Sequence, residues 1–515
     1  MEKNKKLIVL GVLALILIIS GITYAILTWT SSRVNIGLTS NCFTIDYTKG
    51  NDIANASIKA LNESDLISDN KFTIKEGIAL TYANIGIKST CTIEGYGSLY
   101  LNVTTLSSAF STGNSKGALK YAVLDNTSTT STVTVASLLN QQFNIVSKGS
   151  ITSTGKITLL TKQLSNTKLN KYLIVIYADV SKIANDAMDA SFNGTVSADA
   201  NQGKAPITPE DQLVNLGLTV SSGTPNFTKT SIDDGANGIY SAEDDFGTSY
   251  YFRGNVTNNY VKFANKYWRI IRINGDGTIR MIYAGTSAHA NGYDDSSAND
   301  MSIGSSAFNS SSNDNTYVGY MYGTAGASTY ANTHSNTTNS TIKTKLDSWY
   351  DTNIVNTGNE RYIADAIYCN DRSVSSGTGI GTTETTYAAQ TRMNNRTPTL
   401  KCANNSDKFT KSTTIGNGKL TKMIGLITTD EVMYAGENSN TVNKEYYLYS
   451  KTWYWTMTSN SFTGGNASVS GMFYFGYIGG DDVSMTNGGV RPVVSLKSDA
   501  ISGGSGTAAS PFIVG

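Results

Sequence analysis

The sequence is poor in charge: 15% of its 515 residues are Asp, Glu, Lys or Arg, and the formal net charge is +1. A chain this neutral has no basic stripe to hold a phosphate backbone, so no nucleic acid is expected as partner. Two histidines serve the whole chain, His289 and His334. Both fall in a stretch, 284–340, that reads as polar loop, so a histidine-based zinc site or a Ser-His-Asp relay has little to be built from. Prolines number six, and none precedes Pro206. The four cysteines, Cys42, Cys91, Cys369 and Cys402, lack the close spacing of metal ligands. Disulfides are the better reading. Cys42–Cys91 and Cys369–Cys402 are the simplest of three possible pairings. No catalytic residue, metal or cofactor is expected.

Long apolar runs are equally scarce, with one exception. After Lys3, Lys5 and Lys6, no charge occurs from Leu7 to Leu27. As a helix these residues span about 32 Å, enough for a bilayer core of about 30 Å. Residues 7–27 are thus a membrane anchor if uncleaved, with the lysines and the N-terminus cytoplasmic. Thr23 and Ala25 also offer small side chains where a signal peptidase reads, so a removed signal peptide stays open. Either way the protein is expected at the cell surface or secreted, an oxidising setting that suits disulfides.

What the chain does have is Asn, Ser, Thr, Gly and Tyr, including 48 glycines and 30 tyrosines. Thr and Tyr favour strands, whereas Gly, Asn and Ser favour turns, so the fold is expected to be mainly β. Pro206 and Pro209 stand in the polar NQGKAPITPEDQ, which marks a boundary near residue 205. The expected division is a signal or anchor over 1–34, an antiparallel β-sandwich over 35–203, a linker over 204–237 and an α+β domain over 238–515. In the sandwich Leu99, Leu101 and Val103 alternate, whereas KYLIVIYADV (171–180) is a continuous apolar run. In the last domain NGDG (274–277) predicts a hairpin turn rather than a calcium loop, because the alternating carboxylates are missing. Ile342, Leu346 and Trp349 share one face of a helix that Ser340 can cap, and TTDEVMYA (428–435) predicts a shorter helix.

Two resemblances extend this reading. GITYAILTWTSS (21–32), followed by a strand-rich stretch to residue 202, resembles the TasA/camelysin family of exported bacterial matrix proteins. That resemblance implies a jelly-roll-like sandwich and self-assembly through it, with a freed segment around Ile26–Leu38 added as a strand to a neighbour's sheet. The ordered elements GYMYG (319–323), STIKTKLDSWY (340–350), IYCNDRS (367–373), GLITTDEVMYAG (425–436), YWTMTS (454–459) and GVRPVVSL (489–496) resemble a bacterial C-type-lectin-like surface module of the formylglycine-generating-enzyme-like branch. The calcium-site triplets Glu-Pro-Asn, Gln-Pro-Asp and Trp-Asn-Asp do not occur.

The lectin-like resemblance implies a non-enzymatic adhesin or receptor that binds a glycan or protein ligand through its C-terminal domain. WYWTMTS would be the core strand beneath the binding face. Asn460, Asn466, Tyr474, Tyr477, Asp481, Asp482 and Asn487, on the loops that follow, would face the ligand, since Tyr gives contact area at little entropy cost and Asn adaptable hydrogen bonds. Arg491 reads as a structural hydrogen-bonding hub. Two alternatives stand beside this: a TasA-like extracellular matrix (biofilm) fibre subunit, and a variable protein of a diversity-generating retroelement with a hypervariable binding face.

Overall fold

The computed structural model describes residues 43–515 except 55–57, 90–94, 127–132, 166–167, 189, 203–204, 206, 228–236, 293–298 and 438–441. The apolar segment 7–27, the segment Ile26–Leu38 and the pair Cys42 and Cys91 lie outside the described residues. Strand outweighs helix, 39% to 17%, and the sheets are largely antiparallel, as the turn-rich composition predicts. Among the described residues no helix is long and apolar enough to cross a membrane. The chain divides into two compact units that meet in sequence at residue 205.

In the first unit the principal strands are β1 (Phe43–Lys49), β2 (Ala79–Ser89), β3 (Gly95–Leu106), β4 (Leu119–Asp125), β5 (Gln142–Ser150), β6 (Gly155–Leu164), β7 (Asn170–Asp179) and β8 (Phe192–Gln202). One sheet runs β1-β2-β7-β4-β5 and continues into two short strands; the other runs β6-β3-β8. Tyr172, Ile174 and Ile176 of β7 join Leu99, Leu101 and Val103 of β3 in a core shared by the two sheets. The intervening Leu173, Val175 and Tyr177 face a second cluster with Phe72, Leu138 and Phe143. A strand covered on both faces cannot alternate, which explains the unbroken apolar run at 172–178.

The second unit opens with helix α1 (Pro209–Asn215), whose Thr208 cap accepts from the Asp211 amide at 3.1 Å. Leu213, Leu216 and Leu218, within the stretch read as linker, belong to this unit's core. The strands β9 (Gly238–Asp244), β10 (Gly247–Arg253), β11 (Tyr260–Phe263), β12 (Lys266–Ile273) and β13 (Ile279–Gly285) follow as hairpins. Between β12 and β13 the Asn274 amide donates to the Thr278 carbonyl at 2.8 Å, and Asp276 accepts from the Thr278 amide at 3.0 Å. The Asp276 carboxylate thus holds the turn together. Gly277 has φ +82°, and a Cβ there would fall 1.9 Å from the Ile207 carbonyl oxygen, so only glycine fits.

Helix α2 (Thr341–Tyr350) is capped by Ser340, which accepts from the Lys343 amide at 3.2 Å. Ile342 and Leu346 are buried, and Trp349 packs edge-on against Trp268 and Tyr283. Helices α3 (Ala388–Asn395) and α4 (Thr429–Ala435) pack together. Strands β14 (Tyr454–Thr463), β15 (Asn466–Phe473) and β16 (Tyr477–Asp482) form a meander in a five-stranded sheet, with β16 at its edge. The chain then returns: β17 (Val493–Leu496) pairs antiparallel with β13, and β19 (Phe512–Val514), joined to β18 (Ile501–Gly503), pairs parallel with β11. Cys369 and Cys402 form a disulfide with Cα atoms 5.7 Å apart.

Candidate functional site

The meander owes its shape to its glycines. Gly464 and Gly465, at φ +60° and +85°, make the two-residue turn between β14 and β15, the geometry that hairpin twist favours. Between β15 and β16 the turn is Tyr474-Phe475-Gly476, closed by the Phe473–Tyr477 pair, with Gly476 at φ +90°. This second hairpin gathers aromatic rings. Trp453 lies 5.7 Å from Phe473 with the planes 10° apart; Phe473 lies 5.2 Å from Tyr477 at 17°; Tyr477 lies 6.1 Å from Phe475 at 7°. Tyr474 leans on Phe475 at 3.8 Å. Glycines opposite the rings make room for them. A Cβ on Gly471 would fall 2.4 Å from Trp453 Nε1, and one on Gly479 would fall 2.9 Å from Phe473 Cε2.

The series runs from core to solvent. Trp453 is buried, Phe473 and Tyr477 are half-buried, and Tyr474 and Phe475 are 47% and 46% exposed. Trp455 turns inward, donating through Nε1 to the Ser306 carbonyl at 2.8 Å and meeting Phe308 edge-on. Two adjacent aromatics left half in water forgo hydrophobic stabilisation that burial would recover, which makes the exposed end of this stack the candidate contact surface of the sheet.

The seven residues expected at a binding face are not all on it. Tyr474 and Tyr477 are in the stack, and Asp481 and Asp482 are half-buried on the same edge strand. The Asp481 carboxylate accepts from the Asp482 amide at 2.8 Å, and Asp482 accepts from the amide and hydroxyl of Ser484 at 2.8 and 2.7 Å. Asn460 does not face out. It lies within β14 at 4% exposure, donating to Ser470 Oγ at 3.0 Å and accepting from Ser461 at 3.2 Å. It was expected on a loop, but the strand continues past it to Thr463 and the amide is satisfied by neighbouring hydroxyls. Asn466 is exposed at the Gly464-Gly465 end of β15, away from the aromatic turn, and accepts from Ser312. Asn487 is exposed after β16. Phe473 and Phe475 escaped the sequence reading; the aromatic–Gly pattern FYFGY was the signal for them.

A second candidate is polar. Arg272 bonds Asp244 at 2.6 Å and Glu431 at 3.1 Å; Arg280 bonds Glu431 at 2.5 Å; Arg392 holds Asp371 at 2.7 Å and Asp430 at 3.0 Å. These side chains line a cavity of about 30 Å³ beside Cys369, room for a few waters and far short of a small-molecule site. Burial raises the Asp430 carboxyl above its ordinary range despite Arg392, whereas for Glu431 the same burial is outweighed by Arg280 and Arg272, which hold it below. The network joins β9, β12, β13, α3 and α4. It is a strut.

Other polar groups are also structural. Burial and nearby Arg372 push the His334 imidazole down to about 3, and its Nε2 meets the Gly379 carbonyl at 2.9 Å. His334 is therefore a neutral core residue rather than part of an open polar loop. His289 Nε2 pairs with Asp300 at 2.5 Å and meets Ser287 Oγ through the same nitrogen at 3.4 Å. Arg491, fully buried, donates to the carbonyls of Tyr283 at 3.1 Å and Leu448 at 2.9 Å and stacks over Tyr454, the hub its sequence position predicts. Among the described residues no three His, Cys, Asp or Glu side chains come together to hold a metal ion. Compared with known proteins, the chain matches no family model, no curated protein and no solved structure.

Proposed function

We propose that this is an exported, non-enzymatic surface protein that recognises a ligand through the aromatic end of its β15–β16 hairpin. In this reading the first unit is a jelly-roll-like β-sandwich that carries the second, a C-type-lectin-like recognition domain. Two sheets sharing one core support the sandwich. The lectin-like arrangement is supported by the return of β17 and β19 onto the opening strands, by α2 and α4, and by the Cys369–Cys402 bridge.

The observation that carries the reading is the half-exposed pair Tyr474 and Phe475 at the end of a parallel ring series. Rings fixed by a tight turn lose little entropy on binding, and aromatic anchors of this kind dominate recognition surfaces. The test is binding of the labelled full chain to cells that share its habitat, scored by flow cytometry for wild type and the Tyr474→Ala/Phe475→Ala double variant. The double variant is expected to lose at least tenfold in half-saturation while melting like wild type. Equal binding by the two proteins would overturn the assignment.

A further inference from the structure

We infer that Asn487 is a site of spontaneous covalent modification, where the Gly488 nitrogen displaces the side-chain amide and water then leaves an aspartate or an isoaspartate. The chemistry belongs to the Asn-Gly pair. The glycine nitrogen attacks the asparagine Cγ, a C–N bond forms, and the Cγ–Nδ2 bond breaks. Nδ2 departs as ammonia with the proton that the glycine nitrogen gives up. Water then adds to one of the two carbonyl carbons of the five-membered imide and breaks its bond to the ring nitrogen. Opening at Cγ leaves aspartate, and opening at the main-chain carbon leaves isoaspartate. One ammonia leaves and one water enters, with nothing oxidised or reduced. Glycine permits the closure because it has no Cβ to obstruct the turn.

The chain holds six such pairs, beginning at Asn193, Asn237, Asn274, Asn291, Asn417 and Asn487. Attack needs an asparagine side chain free to turn and a glycine nitrogen free to approach it, and the fold restrains five of the six. Asn193 and Gly194 lie within β8, opposite Thr105 and Val103 of β3. Asn237 Oδ1 accepts from the Asn255 amide at 2.8 Å. Asn274 is buried and donates to Thr278 Oγ1 at 2.8 Å, while the Gly275 nitrogen donates to Asp244 at 2.9 Å. Asn291 donates to Asn255 Oδ1 and the Val256 carbonyl, both at 2.7 Å, and accepts from Arg269 at 2.8 Å. Asn417 donates to the Ser406 carbonyl at 2.9 Å and accepts from the Lys419 amide at 3.0 Å, and the Gly418 nitrogen donates to Thr410 Oγ1 at 3.3 Å.

Asn487 differs on every count. It is exposed in the turn that follows β16, and its neighbours Met485 and Thr486 are exposed with it, so the turn can bend without unpacking the core. Among the described residues neither the Asn487 side-chain amide nor the Gly488 nitrogen has a hydrogen-bond partner. Beyond this point the chain is fixed. The Gly488 carbonyl accepts from the Ser306 amide at 2.9 Å, the Gly489 nitrogen donates to the Trp453 carbonyl at 2.8 Å, and the Gly489 carbonyl accepts from the Trp455 amide at 3.1 Å. Isoaspartate lengthens the main chain by one carbon just before that anchor. Either product adds a third negative charge to the segment 477–487, which otherwise carries Asp481 and Asp482.

The experiment holds the full chain at pH 8 and 37 °C in water enriched in heavy oxygen, once folded and once in guanidinium. Peptide mass spectrometry then follows all six pairs with time, the heavy oxygen marking conversions that occur during the incubation. In the folded chain Asn487 is expected to convert at least tenfold faster than each of the other five. In denaturant the six should fall within severalfold of one another, because the restraints that separate them are gone. Another pair that converts as fast in the folded chain would overturn the inference. An Asn487 that stays intact over an interval that converts it in denaturant would overturn it too. A tenfold lead for Asn487 already present in denaturant would show that local sequence, not the fold, selects the site.

Discussion

At the scale of single residues, chemistry and position part company. Asn460 and Asn466 are the same amide, yet one is interior and the other exposed, because β14 runs on where a loop was expected. Arg491 was legible because an arginine beside a proline, in a segment otherwise apolar, needs carbonyl partners when buried. The partners themselves, Tyr283 and Leu448, are remote in sequence and no local pattern announces them. Neighbouring Asp430 and Glu431 make the same point through their opposite shifts. Because Glu431 is held below its unfolded value, it stabilises the fold above about pH 4.3, and that contribution disappears as pH falls through the folded value. Asp430, shifted upward, has the opposite sign but is common to wild type and a Glu431 variant. Glu431→Gln is expected to cost about 3–5 kcal/mol at neutral pH, with the gap closing in acid. Tryptophan emission against denaturant from pH 7 to 3 measures this, since four of the five tryptophans lie in the second unit. Parallel curves for the two proteins would show that the carboxylate is not a strut.

Elements fare better, where the code is local. The α2 spacing, its Ser340 cap and the NGDG turn are each set by residues within a few positions of one another, and each was readable. The aromatic turn was read only in part. Tyr474 and Tyr477 stood out as recognition residues, but that Phe473 would lie over Gly479 depends on the register of two strands, which composition does not state. The Cys369–Cys402 bridge is intermediate: adjacency in sequence order suggested the pairing, and the short strand pair Tyr368–Cys369 with Lys408–Phe409 helps bring the segments together. Closing a separation of 33 residues is worth roughly 4 kcal/mol in the chain-entropy account. Cys369→Ser/Cys402→Ser is therefore expected to lower the calorimetric midpoint of the second unit by several degrees and leave the first unit's transition in place. A bridge that only decorates the surface would shift neither.

For the molecule as a whole, the sequence shows a boundary in its prolines and an excess of strand formers, and the structure has two compact units and a mainly β architecture. The closing of the chain on itself, β17 on β13 and β19 on β11, joins residues more than 200 positions apart and has no local signature. The β14–β16 meander belongs to a separate five-stranded sheet, with β16 as its edge. Asp481, bonded to the amide of Asp482, gives that edge the charge that discourages pairing with another chain, and in the proposed reading its exposed rings rather than its backbone meet the ligand. Hydrogen–deuterium exchange of the full chain, with and without saturating isolated cell-surface material, tests this most directly because it does not presuppose the site. Protection confined to residues 473–482 is the predicted result. Protection centred on the first unit, or on the ion-paired cavity beside Cys369, with 473–482 unchanged, would contradict it.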